Sequence, residues 1–148
     1  MKRFRFQLES VLDFKRRSLD MLMTELSEAQ SRAAAQEEAR DRAAQRLTQY
    51  DADFARKRQA GFTNIEAIEY EAGQRVLEQR LGREQMLLEQ RLRELEMKRQ
   101  EVVTARQETH AIERLREIRH SEYDAAAAKA EEKALDDLTA ARRMMAAG

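Results

Sequence analysis

Stepping alternately by four and three residues from Leu8 reaches Leu12, Lys15, Leu19, Leu22, Leu26, Ala29, Ala33, Gln36, Arg40, Ala43, Leu47, Tyr50 and Phe54. Eleven of these fourteen positions are apolar, and the residues between them are mostly charged, polar or alanine. An apolar alternation of that length keeps one seam of a helix turned towards a partner helix as the two supercoil, so it selects a coiled coil. Lys15, Gln36 and Arg40 interrupt the seam. Polar residues there cost stability and fix register and partner number.

Nothing in the chain forces strands and turns. It has no proline and only four glycines, so the usual punctuation is missing. Charged residues make up 38 %, against about a quarter in a globular domain, and the excess needs a large exposed surface. Basic and acidic residues balance at 28 each, which speaks against general adhesion to nucleic acid. Cysteine is absent, excluding a disulfide scaffold and thiol chemistry. The start, Lys2-Arg3-Phe4-Arg5-Phe6-Gln7-Leu8-Glu9 after Met1, lacks the apolar stretch of a secretory signal. No window approaches the roughly 18 apolar residues of a membrane span. A soluble cytoplasmic protein is expected.

The first helix breaks at Gln59-Ala60-Gly61-Phe62-Thr63-Asn64. Gly61 suits the left-handed conformation that ends a helix. Thr63 stands three residues before Glu66, the capping-box spacing. The expected fold is all-α, one elongated antiparallel two-helix coiled coil over 1–148. Its first helix runs from about residue 4 to 58, its turn from 59 to 63, and a longer second helix from 64 to 143. The second helix keeps a heptad in Leu81, Leu88, Leu95 and Val102, with Leu92 between, and a stutter is expected where the stripe drifts through Ile112, Leu115 and Ile118. A hairpin centred near Gly61 pairs residues whose numbers total about 122. The last 25 or so residues, from about His120, then have no partner in the chain, and a lone helix gains little from propensity alone. That open end is where a partner is expected. Charge is uneven there too: residues 1–17 are net +4 and residues 122–137 net −4.

Catalysis needs an enclosed site, which two helices do not build. There is no phosphate-binding glycine loop and no arrangement of nucleophile, base and oxyanion hole. Glu117 and His120 have the Glu-x-x-His spacing of di-iron bundles, but those need two such motifs and two more carboxylates. The alternating cations and rings of Lys2 to Phe6 read as the start of the apolar face rather than a nucleic-acid platform. The expectation is a non-enzymatic protein with no cofactor, metal, nucleic acid or small-molecule substrate.

Three stretches, taken in order, are similar to the flagellar export protein FliJ family. They are Lys2 to Leu12; Ala60-Gly61 through Ile65, Ile68 and Tyr70; and Ile112-Glu113-Arg114-Leu115 with Glu122-Tyr123 and Lys133-Ala134-Leu135-Asp136-Asp137. Asp137 departs conservatively from the family's usual Leu-Asp-Glu. The resemblance implies a coiled-coil stalk of the flagellar type III export apparatus, cytoplasmic and peripherally associated with the basal body at the membrane. Implied partners are the export ATPase hexamer (FliI-like), the transmembrane export-gate protein (FlhA-like) and the escort chaperones of late substrates. Implied ATPase-facing residues are Phe4, Arg5, Phe6, Leu8, Arg16, Tyr123, Leu135 and Asp136; implied gate-facing residues are Tyr50, Tyr70 and Leu77. Gly73 stands where other members can have a large residue. The alternatives are the equivalent stalk of an injectisome, a self-associating coiled-coil scaffold and a membrane-surface helix.

Overall fold

The computed structural model describes residues 2–148. It is all-α: helix α1 spans Glu9–Ala60 and helix α2 spans Asn64–Ala147. The second is much the longer, as in an α-hairpin coiled coil, at 84 residues against 52. Gly61 turns the chain with φ of 99°, in the left-handed region that glycine occupies without a Cβ clash. Thr63 Oγ1 accepts from the Glu66 amide at 3.2 Å, and the Glu66 carboxylate accepts from the Thr63 amide at 3.3 Å. The expected capping box is therefore formed.

The helix start differs from expectation. Residues 2–8 are not helical, and α1 begins at Glu9 rather than near residue 4. Lys2, Arg3 and Arg5 would sit against the positive end of the helix dipole, whereas Glu9 in the first turn is favoured there. The Glu9 amide instead donates to the Phe6 carbonyl in a turn, 3.2 Å away. Helix α2 continues to Ala147, one turn past the expected end.

The chain divides into two compact units. One is Met21–Val102, the hairpin itself. Its buried apolar residues are Ala29, Ala33 and Ala43 from α1 with Leu88, Leu95 and Val102 from α2. Small residues on one helix facing larger ones on the other let the backbones approach and the layers fill. Leu26 packs against Ala29, Ala33 and Leu95. Across this seam Gln36 donates to the Glu84 backbone carbonyl at 3.1 Å and to its carboxylate. Lys98 donates to Glu25 at 2.9 Å and to Glu101 at 3.1 Å, and these carboxylates raise its pKa above the usual lysine value.

The other unit takes the residues up to Asp20 together with Val103–Gly148. Leu12 is its one fully buried apolar side chain among the described residues, and Thr109 is buried too, its hydroxyl donating to the Ala105 carbonyl at 2.7 Å. Three exposed ion pairs join its segments: Glu9 with Arg116, Lys15 with Glu108 and Arg16 with Glu113, at 2.8, 2.8 and 3.1 Å. The paired numbers total 125, 123 and 129, against an expected total of about 122.

Up to Arg116 the sheltered face of α2 shows no stutter. It runs Gln74, Leu77, Leu81, Glu84, Leu88, Arg91, Leu95, Lys98 and Val102, and then Ala105, Thr109, Ile112 and Arg116, in unbroken steps of three and four. Leu92 and Ile118 lie off that face, about half exposed. Polar residues fill every other seam position through much of α2, which hid the rhythm from a search for apolar residues.

Candidate functional site

Two aromatic sites stand out, one in each unit. In the hairpin unit, Tyr50 and Phe54 are four residues apart on α1 and so share a face. Tyr70 of α2 stacks on both, with ring centroids 5.1 Å from Tyr50 and 3.6 Å from Phe54. Phe62, from the turn, meets the edge of Phe54 at 5.4 Å. The Tyr50 hydroxyl donates to the Tyr70 carbonyl at 3.1 Å. The Tyr70 hydroxyl donates to Asp51, which also accepts from Gln74 at 3.2 Å. That bond to Asp51, followed by desolvation, pushes the Tyr70 phenol up to about 12. Tyr70 thus keeps its proton and its donor role through neutral pH.

A groove of about 310 Å³ runs along this stack, lined also by Asp53, Lys57, Glu66 and Glu69. Two of the expected gate-facing residues, Tyr50 and Tyr70, meet here; Leu77 lies half-buried on the seam and is not part of the groove. Gly73 makes the stack possible. A Cβ there would overlap the Tyr50 hydroxyl and lie 2.8 Å from its Cζ.

In the other unit, the non-helical arm lies on α2. The Phe4 ring meets His120 edge-on at 4.7 Å and Tyr123 at 5.5 Å, with the Arg116 guanidinium 5.9 Å from its centre. Tyr123 donates to the Lys2 carbonyl, and His120 lies 3.1 Å from Asp124. A groove of about 620 Å³ brings together Phe4, Arg5, Phe6, Leu8 and Tyr123, five of the expected ATPase-facing residues. Arg16 lies outside it, paired with Glu113. Leu135 and Asp136 also lie outside it, further along α2.

Beyond Ala127 every residue of α2 is exposed. Leu135, Leu138, Met144 and Met145 are 64, 50, 78 and 83 % accessible. The bare length thus begins after Ala127 rather than near the expected His120, because Tyr123, against which Phe4 packs, and Ala127 are still half-buried. Sequence reasoning missed the parts played by Phe62, Asp51 and His120. The Phe54–Phe62 spacing across a turn was the available signal for the first; nothing local marks the other two. No helix among the described residues is long and apolar enough to cross a membrane.

Residues 4–148 match the model of a protein family described as Flagellar FliJ protein. Searches of curated proteins and of solved structures each find no match. The match covers essentially the whole chain, which therefore belongs to the FliJ family and is a flagellar export component.

Proposed function

We propose that this FliJ-family chain is a non-enzymatic stalk whose unit carrying both chain ends docks in the export ATPase hexamer and promotes its assembly and turnover. The observation that carries the reading is the bare stretch of α2 beyond Ala127, with two leucines and two methionines in water. A solitary helix gains little stability from propensity alone, and enclosure by a ring would bury its apolar surface. An asymmetric rod cannot meet six equivalent subunits alike. It favours whichever set of nucleotide states gives it the better contacts, and that differential affinity shifts the ring's equilibrium. Arg5, Phe6, Leu8 and Arg16 would supply contacts from the arm and α1, and Leu135 and Asp136 from the bare helix. The stack of Tyr50, Tyr70 and Phe54 near the turn, together with Leu77 further along α2, is the surface we assign to the export gate. Escort chaperones are further partners on this reading, and the location is the cytoplasmic face of the basal body.

The test is ATP hydrolysis by the cognate hexamer with full-length protein and with a variant lacking residues 128–148, which leaves the Phe4 cage whole. Full-length protein raises turnover and the shortened one does not. Equal stimulation by both would remove the proposal's basis.

A further inference from the structure

The bare end of α2 carries a second pattern. Ala128, Glu131, Leu135, Leu138, Arg142 and Met145 recur in steps of three, four, three, four and three. That alternation puts them on one face of the helix, and all six are exposed. Beyond Ala127 every residue of α2 is exposed, so no described part of the chain covers Leu135 and Leu138.

We infer that this face pairs with the same face of a second copy of the chain, antiparallel. The order of residues along the stripe is self-complementary. About a two-fold axis between Leu135 and Leu138, Leu135 meets the second copy's Leu138, Ala128 meets its Met145, and Glu131 meets its Arg142. Each contact occurs twice, as an isologous interface requires. Two opposite-charge pairs bracket two leucine pairs. Parallel pairing in register would instead set Glu131 against Glu131 and Arg142 against Arg142, and polar seam positions of this kind select orientation and register. Ala134 and Ala141 flank the leucines and leave room for close approach.

The stripe spans 18 residues, about 26 Å of helix, so the contact falls at the small, transient end of interfaces, below roughly 1,200 Å². Self-pairing uses Leu135, which the ATPase reading also uses, so the two contacts exclude one another: the paired form is a reserve in which the apolar end is covered. The inference concerns the chain alone and does not depend on the ATPase reading.

Sedimentation velocity of the full-length protein over a range of concentrations tests it. The unmodified chain shows a concentration-dependent shift from monomer to dimer. Arg142→Glu alone and Glu131→Arg alone each remove the shift, because each places like charges opposite one another in the pair. An equimolar mixture of the two variants restores it, since both charge pairs re-form between unlike chains. A monomer at every concentration overturns the inference. So does association of either single variant equal to that of the unmodified chain, or a mixture that stays monomeric.

Discussion

Gly73 and Gly82 are chemically the same residue in the same helix, and their surroundings give them opposite roles. Nothing lies within 4 Å of a Cβ built at Gly82, whereas one at Gly73 runs into Tyr50. In an open helical position alanine is about 1 kcal/mol better than glycine. Gly82→Ala should therefore raise stability by about that amount in urea unfolding. Gly73→Ala should give no gain or a loss, because Tyr50 must leave its stack on Tyr70 and its bond to the Tyr70 carbonyl. Equal gains at the two sites would show that Tyr50 moves aside freely. Residue type alone offers no sign of this distinction, since both are glycines inside one helix. What separates them is a tyrosine 23 positions away, brought close only by the antiparallel register. The same applies to His120, whose contact with Phe4 depends on how residues 2–8 fold.

Helix α2 begins on a reciprocal pair of bonds, and its start should behave as one cooperative piece. Replacing an N-cap threonine by alanine costs about 1 kcal/mol. Thr63→Ala and Glu66→Ala should each destabilise the hairpin by up to that amount, and the double variant should lose less than the two together, because the bonds support each other. A double-mutant cycle on unfolding free energy checks it; strict additivity would mean that the two bonds act separately. The cap was legible because its signal is local, two residue types three positions apart. The α1 seam was legible for a related reason: eleven of its fourteen seam positions are apolar, so periodicity and burial coincide. The α2 seam was only half legible. Glu84, Arg91, Lys98 and Arg116 occupy seam positions with their charged ends held by partners, and long side chains cover a seam with their hydrocarbon stems while keeping the head wet. Leu92 and Ile118, though apolar, point elsewhere. The start of α1 was misjudged because repulsion between basic residues and the helix dipole opposes a run of adequate helix formers.

The two units are held by different materials. The hairpin unit buries three alanines, two leucines and a valine, while among the described residues the other buries Leu12 as its sole core hydrocarbon and joins its segments through three exposed ion pairs. Exposed pairs are worth little each, about 0–1 kcal/mol, and are screened once the Debye length shrinks to about 3 Å at 1 M salt. High salt should therefore speed amide exchange in residues 9–20 and 103–120 several-fold while leaving 21–102 nearly unchanged. Exchange followed by mass spectrometry at low and high salt checks this, and a uniform response along the chain would contradict it. The scarcity of buried carbon around Leu12 also shapes how any capture of this end would look in a calorimeter. A weakly consolidated segment gains order as it gains a partner, so association there would carry the negative heat-capacity change of partial folding added to that of surface burial. The bound geometry would then owe as much to the surface that receives it as to the chain itself.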